Sequence, residues 1–334
     1  MRVLYISPYN VGSTSRMRGK CLEQLLQAKE FKVIDTSIPI AATTRIFRSL
    51  GWRYKMGPLI HNINSYILNE LKGDYGFDLV WIDKGVFIRP ELVLQLKQQS
   101  GKLVHFTPDP AFAFHQSKLF YEALNLYDFC ITTKSFEIKN YESHGVKTIF
   151  CTQGYDPALH KPWHSFEEKK GVVFVGHNED DREETIASLL KENIPVTIAG
   201  NNWERFARKY KNNSSLAYLG KGIYGDEYGQ QLSAALIGLG FLSKWIPELH
   251  TTRTIEIPAC DTALLTESND EIRSIFAAED AIFFEKATDI AAQVKYYLSD
   301  RVALRKLAAN GHAKIMNGGF SYFEIMNKLV QQIK

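Results

Sequence analysis

Residues 172–199 have the sequence VVFVGHNEDDREETIASLLKENIPVTIA, and this stretch decides the predicted fold. Its two ends, residues 172–175 and 196–199, are short runs of β-branched and apolar residues, which is typical of strands covered on both faces. Between them, residues 182–192 have the composition and spacing of a helix. A strand, a helix and a second strand in this order predict a βαβ unit with two parallel strands.

The same alternation extends over the whole chain. Further strands are predicted at residues 3–7, 32–35, 79–82, 103–106, 129–132, 148–150, 216–219, 236–242, 263–266 and 282–284. The alternation pauses at residues 153–170, where two prolines and four closing charges indicate a linker.

This alternation predicts an α/β fold with two Rossmann-like, doubly wound domains that face a central cleft. The predicted domains are residues 1–160 and residues 170–318, and a helix at residues 319–334 is expected to pack back onto the first domain. Ligands of such sheets bind outside the carboxyl ends of the strands.

The overall composition is that of a globular protein, with 45% hydrophobic and 23% charged residues. The formal net charge is only +3, but it is unevenly distributed. Residues 1–60 contain ten basic and three acidic residues. This excess of positive charge favours an anionic partner for the N-terminal part of the chain.

The cysteines and the hydropathy indicate the compartment. Cys21, Cys130, Cys151 and Cys260 have neither CxxC nor zinc-site spacing, so they indicate reduced thiols in a cytoplasmic protein. Residues 1–7 are too short for the apolar core of a signal peptide, and no apolar run is long enough for a membrane span. We expect a cytoplasmic protein, with a peripheral position at the inner face of the membrane as an open alternative.

Residues 244–260 (KWIPELHTTRTIEIPAC) contain the densest group of polar side chains. They follow the strand predicted at residues 236–242 and open a helix near Thr252. A helix N-terminus with Thr252 and Arg253 in its first turn is suited to a diphosphate. Glu256, one turn later, is suited to the two hydroxyls of a ribose. The alternative is that Arg253 and Glu256 form a surface ion pair at i,i+3 spacing.

Cationic side chains stabilise the negative charge of a bound diphosphate. The candidate cations are Arg182, Lys244, His250 and Arg253. The sequence contains no Asp-x-Asp motif, which disfavours binding of the diphosphate through a metal ion. Each cation alone is typical of a protein surface, but four in the predicted cleft favour an anion site.

Residues 253–267 (RTIEIPACDTALLTE) resemble the core signature of the CgeB-like (spore-maturation) glycosyltransferases. Further similar positions follow in the same order along nearly the whole chain, at residues 83–85, 109–110, 132–134, 154–157, 174–176, 182, 200–203, 283–284, 294–298, 305 and 309–311. These proteins have the GT-B fold and are similar to glycosyltransferase family 4. The resemblance implies a nucleotide-sugar donor (UDP-, GDP- or dTDP-sugar) in the C-terminal domain, no other cofactor, no obligate metal, and retention of anomeric configuration.

The resemblance also implies roles for individual residues. Glu256 corresponds to the second Glu of a Glu–seven–Glu motif, which holds the donor ribose. Glu248 stands where the first Glu would be, near the transferred sugar and its phosphate. Gly176 and Arg182 resemble the loop that contacts the donor diphosphate.

Three positions, in two places, depart from the family pattern. Leu249 and His250 stand where a Phe-Gly pair is usual, which bears on the role of Glu248. Asp261 stands where a Gly is frequent, and this departure is compatible with donor binding.

The N-terminal half supplies candidates for acceptor binding. Residues 7–16 (SPYNVGSTSR) suit a phosphate or acceptor loop with Gly12 and Arg16 as contacts, or an ordinary turn in which Ser caps a helix. The segment lacks GxGxxG and P-loop patterns. Asp109, between two prolines, is a candidate to contact the acceptor hydroxyl as base or orienting group, or is a turn residue.

One tryptophan has two possible roles in this interpretation, and two histidines have a structural one. Trp203 either stacks on the nucleotide base or packs in the core. His105 and His115 are predicted to be structural.

The segment from Thr43 to Lys55 (TTRIFRSLGWRYK) mixes basic and aromatic residues. It suits an anionic membrane face or a lipid-diphosphate acceptor, and a solvated basic helix is the alternative. It also suits nucleic acid electrostatically, but no nucleic-acid-binding motif accompanies it.

The function expected from these observations is that of a metal-independent, hexosyltransferase-like enzyme of polysaccharide biosynthesis or the cell envelope. Its acceptor is expected to be a polysaccharide, a lipid-linked glycan or a cell-surface component. Three alternatives stay open: a nucleotide-sugar epimerase of the same fold, a non-catalytic sugar- or nucleotide-binding protein of envelope or spore assembly, and a nucleic-acid-associated protein.

Overall fold

The computed structural model describes residues 1–179 and 181–334, and these residues divide into two compact units. Unit 1 comprises Met1–Thr152 together with Tyr322–Lys334. Unit 2 comprises Gln153–Ser321. Each unit contains one six-stranded parallel sheet with helices on both faces.

The sheet of unit 1 has the strand order β2-β1-β3-β4-β5-β6, and all neighbouring strands are parallel. Its strands are β1 (Arg2–Ser7), β2 (Glu30–Asp35), β3 (Phe77–Asp83), β4 (Ser100–Thr107), β5 (Phe129–Thr132) and β6 (Thr148–Phe150). Its helices up to the end of the sheet are α1 (Thr14–Leu26), α2 (Ser37–Ala42), α3 (Arg45–Tyr54), α4 (Pro58–Glu70), α5 (Pro90–Gln98), α6 (Lys118–Ala123) and α7 (Ile138–Ser143).

Strand β1 shows why the central strands of this sheet are apolar throughout. Successive side chains of a strand point to opposite faces. Leu4 and Ile6 lie in the core that α4 and α5 cover. Val3 and Tyr5 lie in the opposite core, together with α1 and the chain's last helix, Tyr322–Ile333.

The sheet of unit 2 has the strand order β12-β11-β10-β7-β8-β9 and is also parallel. Its strands are β7 (Val172–Val175), β8 (Val196–Ala199), β9 (Leu216–Tyr218), β10 (Ile237–Gly240), β11 (Ala263–Glu267) and β12 (Ile282–Phe284). Its helices are α8 (Arg182–Lys191), α9 (Glu204–Lys209), α10 (Gly225–Ser233), α11 (Thr252–Ala259), α12 (Asp270–Ile275), α13 (Ile290–Ser299) and α14 (Arg301–Asn317), and the last helix of the chain is α15.

These two sheets confirm the predicted α/β class and its two doubly wound halves. Each predicted strand is present, although β10 is shorter than predicted and ends at Gly240. Helix α1 begins at Thr14, because Ser13 caps it by accepting a hydrogen bond from the Arg16 N–H. Among the described residues, none of the helices combines the length and apolarity needed to cross a bilayer.

The strand orders mark where ligands are expected. The direction of winding reverses between β1 and β3 in unit 1 and between β7 and β10 in unit 2. At such a point the loops that follow the two strands diverge and leave a crevice at the carboxyl edge of the sheet.

Candidate functional site

Arg182 lies at the reversal point of unit 2, as the first residue of α8. Its Nη1 donates a hydrogen bond to the carbonyl of His177 (2.7 Å), and its Nη2 donates to the carbonyl of Leu242 (3.1 Å). Glu179 Oε2 lies 3.3 Å from the same Nη2. Burial lowers the pKa of Arg182 and Glu179 opposes that effect, but a guanidinium stays charged in proteins. Unit 2 therefore holds a fixed, buried positive charge between the loops that follow β7 and β10.

Arg253, the second residue of α11, brings another guanidinium to the same place. Its Nη2 lies 3.4 Å from the carbonyl oxygen of Phe241, to which it donates. The Arg253 and Arg182 guanidinium carbons lie 5.7 Å and 5.3 Å from the centroid of the buried Phe174 ring. Arg253 Nε is buried without a hydrogen-bond partner in the described part of the chain. Two like charges around one ring repel each other, so an anion between them is favoured.

Glu256 lies on the next turn of α11 and is only 4% exposed. The Tyr228 hydroxyl donates to its Oε2 at 2.7 Å. His160 Nε2 lies 3.6 Å from its Oε1, and His160 Nδ1 accepts a hydrogen bond from the Asp156 N–H at 3.0 Å. The proton of a neutral His160 is therefore on the nitrogen that faces Glu256. Because Glu256 is buried, the alternative of a surface ion pair with Arg253 does not apply.

The loop between β10 and α11 holds the other charged candidates. Glu248 Oε2 accepts a hydrogen bond from the Ser243 N–H (3.1 Å) and contributes to the field at Arg182. The Lys244 ammonium forms an ion pair with Glu267. Thr252 is the first residue of α11 and is partly buried.

His250 is in a different position from the one its predicted role as a cation needs. The ring is 1% exposed, and its Nε2 accepts a hydrogen bond from the Gln153 N–H at 3.0 Å. Its Nδ1 donates to the carboxylate of Glu271. Both ring nitrogens are thus engaged within unit 2, so His250 fixes its loop and presents no free N–H to a ligand.

Gly176 is held by close contact between the loops after β7 and β8. Its N–H donates to Ala199 and its carbonyl accepts from Trp203 Nε1 (2.9 Å). At Gly200, with φ at +142°, an added Cβ would lie 1.9 Å from the Gly176 carbonyl oxygen. Trp203 is fully buried and its ring packs edge-on against Phe174. The structure therefore shows the core-packing alternative for Trp203, because a buried ring has no free face for a base.

A cavity of about 210 Å³ opens beside Arg182 at the carboxyl edge of the sheet. Phe241, Phe284 and Ile290 form its apolar wall. Its acidic residues and its lysine are Glu179, Asp181, Glu267, Glu285 and Lys244. An apolar wall with carboxylates at its edge is suited to a heterocycle that carries N–H or hydroxyl donors.

Unit 1 has a larger cavity, of about 380 Å³, at the carboxyl ends of β1, β3 and β4. Asp109 lines it, and its Oδ2 forms an ion pair with Lys84 Nζ at 2.9 Å. Burial opposes the ionisation of Asp109, but Lys84 and His115 outweigh it and lower the pKa of Asp109 to about 2. A carboxylate with so low a pKa is a weak base at neutral pH, which favours the orienting role over the role as base.

His115 lines the same cavity, which the sequence prediction of a structural histidine missed. Burial lowers the pKa of His115, with Asp109 opposing and Lys55 and Lys84 reinforcing the shift. The ring is therefore neutral at pH 7 and offers an unprotonated nitrogen to a ligand. Its only signal in the sequence was its place in the loop that also carries Asp109. His105, in contrast, is fully buried against Phe120 and is structural, as predicted.

The loop after β1 lies against this cavity as well. Ser13, the cap of α1, and Thr14 line it. Gly12 has φ at +80° and turns the chain into the helix. The Arg16 guanidinium packs over the ring of Tyr9, 5.6 Å from its centroid. Ser13 therefore both caps the helix and lines the cavity, so the two alternatives for this loop are compatible.

No group of three or more His, Cys, Asp or Glu side chains that could hold a metal ion occurs within residues 1–179 and 181–334.

Comparison with known sequences gives a family match in the C-terminal part of the chain. Residues 182–331 match the family Glyco_trans_1_2, described as "Glycosyl transferase-like". The match includes α8 with Arg182 and the whole of α11, and it covers just under half of the chain. A search of curated protein sequences gave no match.

Comparison with solved structures identifies the fold. Sucrose-phosphate synthase from Thermosynechococcus elongatus has a TM-score of 0.72 and 14% identity, over 100% of this chain and 98% of that one. Anabaena Alr3699/HepE in complex with UDP and glucose has a TM-score of 0.68 and 13% identity, over 100% and 99%. The trehalose-6-phosphate synthase from Burkholderia multivorans has a TM-score of 0.65 and 10% identity, over 99% and 96%.

These similarities extend over the full length of each protein, at identities that carry information on the fold alone. The chain therefore has the GT-B glycosyltransferase fold, and its residues 182–331 are similar to a glycosyl transferase family.

Proposed function

We propose that this protein is a glycosyltransferase that moves a sugar from a nucleotide-sugar donor, held by unit 2, to an acceptor hydroxyl. The proposal is carried by the guanidinium groups of Arg182 and Arg253, which both lie beside the Phe174 ring. The buried carboxylate of Glu256 follows Arg253 by one turn of helix α11. The family match over residues 182–331 and the UDP and glucose bound by Alr3699/HepE support a nucleotide-sugar as donor.

The proposed chemistry breaks the bond between the anomeric carbon and the diphosphate and forms a bond from that carbon to the acceptor oxygen. Negative charge develops on the departing diphosphate, and the two arginines stabilise it. The carbonyls of His177 and Leu242 hold Arg182 in place, so little reorganisation accompanies the reaction. As the new bond forms, the proton of the acceptor hydroxyl passes to the departing diphosphate, which has taken the electron pair of the broken bond.

Glu256 holds the donor ribose in this proposal. Tyr228 uses one lone pair of Oε2, and the carboxylate has further lone pairs for ribose hydroxyls. Glu248 acts near the transferred sugar and Gly176 near the diphosphate, as the family resemblance implies. The proposal includes retention of configuration, as the family resemblance implies. It includes no obligate metal, since the fixed guanidinium groups can take the role of a cation.

The acceptor binds, we infer, in the cavity of unit 1. Trp52 and Phe87 line it, and the Trp52 ring, which is 41% exposed, can pack against the apolar side of a sugar ring. The neutral His115 nitrogen and the carboxylate of Asp109 can accept hydrogen bonds from the acceptor hydroxyl. A polysaccharide, lipid-linked or cell-surface glycan acceptor fits this lining, and so does hexosyl transfer in envelope polysaccharide biosynthesis.

The CgeB-like affiliation and the cytoplasmic location are parts of the same proposal. The affiliation rests on residues 253–267 and the ordered similar positions along the chain. The location is supported by the four cysteines, which are all free thiols.

The donor assignment is tested by thermal-shift screening with UDP-, GDP-, dTDP- and CMP-sugars. We expect one nucleotide to raise the Tm of the wild type and to raise that of Glu256→Gln by much less, because the amide accepts weaker hydrogen bonds from ribose. Glu227→Gln is the matched control, since Glu227 is an exposed glutamate beside Tyr228. A shift that survives Glu256→Gln unchanged contradicts the ribose assignment, and no shift with any nucleotide contradicts donor binding.

Turnover then separates the three functional classes. A glycosyltransferase releases the nucleoside diphosphate faster when a glycan acceptor is added. Isomerised nucleotide-sugar without acceptor would identify an epimerase, and tight binding without turnover would identify a binding protein.

A further inference from the structure

Helix α3 is oriented with its apolar side outward. Its one buried residue is Gly51, which packs so closely on α4 that an added Cβ would lie 2.5 Å from Leu59 Cβ. In contrast, Ile46 is 72% exposed, Leu50 47% and Tyr54 54%. These side chains are four residues apart and form one continuous stripe on the helix. An ordinary surface helix buries such a stripe, so α3 is built to contact something outside unit 1.

The apolar stripe, which we call the α3 face (Ile46, Phe47, Leu50 and Tyr54), is surrounded by positive charge. Arg45 and Arg53 are exposed at its edges. Between Asp35 and Glu70 the sequence contains no aspartate or glutamate. From the start of α2 to Asn69, the residue before the last of α4, the chain therefore has no negative side chain to neutralise these arginines.

We propose that the α3 face docks on a lipid bilayer that contains anionic lipids. An apolar stripe bordered by arginines matches the two layers of a membrane surface, because the stripe enters the acyl boundary and the guanidinium groups stay with the headgroup phosphates. Arginine and lysine side chains can cover apolar surface with their stems while the charge remains in water. Met56, 66% exposed just after α3, extends the apolar surface.

Trp52 connects this face with the cavity of unit 1. Its ring is 41% exposed, packs edge-on against Phe87 at 4.6 Å, and lines the cavity. A bilayer in contact with α3 therefore lies beside the mouth of that cavity. This consequence rests on the proposed function: an acceptor bound there would be a glycan whose lipid anchor stays in the membrane. The docking itself does not depend on the reaction.

The test is flotation of the full-length protein with vesicles of phosphatidylcholine and with vesicles that also contain phosphatidylglycerol. We expect binding to the anionic vesicles, weaker binding at high salt, and little binding to the neutral ones. Arg45→Glu/Arg53→Glu should weaken binding at least about tenfold, and Ile46→Ser/Leu50→Ser should do the same. Val302→Ser is the matched control, since Val302 is an 82% exposed apolar residue of α14 in unit 2.

A second readout reports on α3 directly. The tryptophan emission of the wild type minus that of Trp52→Phe should shift to shorter wavelength when anionic vesicles are added. The two double variants and Val302→Ser should keep the Tm of the wild type, because the changed side chains are exposed, and should keep its nucleotide-sugar thermal shift. Failure of docking is therefore distinguishable from failure of donor binding.

Three results would overturn the proposal. The first is an absence of binding to anionic vesicles, and the second is binding that neither pair of substitutions weakens. The third is another occupant of the face: salt-sensitive binding to DNA or RNA without vesicle binding, or a dimer in solution that Ile46→Ser/Leu50→Ser dissociates.

Discussion

The hydroxyl of Tyr228 holds the buried carboxylate of Glu256, and its removal gives a sharp test of this part of the site. Tyr228→Phe deletes one oxygen and keeps the ring, which packs edge-on against His160 at 5.5 Å. The lost hydrogen bond is 2.7 Å long and ends on a carboxylate that is 4% exposed. His160 Nε2, at 3.6 Å, is too distant to replace it without a shift.

The expected cost follows from these distances. A hydrogen bond to a charged acceptor contributes about 2 kcal/mol, and here the carboxylate has little access to water as a substitute. For a unit of this size the loss corresponds to a fall in Tm of about 6 °C. In a Glu256→Gln background, Tyr228→Phe should cost only about 1 kcal/mol, because a neutral amide accepts an ordinary hydrogen bond.

The assay is denaturant unfolding of the wild type, both single variants and the double variant. Tyr224→Phe is the control, because Tyr224 is a 71% exposed residue just before the same helix, α10. Equal, small losses for Tyr228→Phe and Tyr224→Phe would refute the reasoning, as would the same loss in the wild-type and Glu256→Gln backgrounds.

Two further predictions concern unit 1. Asp83→Asn should lower the free energy of unfolding by about 3–5 kcal/mol in denaturant titrations, because it leaves the fully buried guanidinium of Arg18, 2.8 Å away, without its counter-charge; a loss comparable to that of exposed Asp78→Asn would contradict this. Asp109→Asn tests a pH dependence: Lys84 and His115 outweigh burial and hold the folded-state pKa of Asp109 at about 2, below its ordinary 3.8. The extra stability of wild type over Asp109→Asn should therefore be fully present above about pH 5 and disappear as the pH falls through 4 towards 2, and a difference independent of pH would count against it.

The sheets were predictable to within a few residues because parallel strands buried on both faces need continuous apolar runs, such as residues 172–175 and 196–199. The helices α2, α3 and α4 were harder to predict from the sequence. Residues 43–55 predicted a basic, aromatic segment, with a solvated basic helix as one alternative. The orientation of α3 was not predictable, because a helix with its apolar side outward gives the same periodicity as one with that side buried.

Some residues of the candidate site were predictable from the sequence and others were not. Arg253 and Glu256 were identifiable because they share one turn of a helix that opens after a strand. Tyr228 and His160 were not, since they reach Glu256 from segments 28 residues away and from the start of unit 2. The sequence made His250 a candidate cation, but Gln153 and Glu271 form hydrogen bonds with both of its ring nitrogens. His115 looked structural, and only its place in the cavity wall with Asp109 gives it another role.

The sequence by itself determined the two α/β halves, the order of the strands along the chain, and the helix that carries Arg253 and Glu256. These features depend on hydrophobic periodicity and on the residues that begin a helix, and both are properties of residues close together in the sequence. The tertiary structure alone decided which charges are fixed and which are engaged. Hydrogen-bond partners such as Tyr228 and Glu271, and the packing of Gly51 that turns α3 outward, come from residues distant in the chain, and their effect depends on burial that no local pattern records.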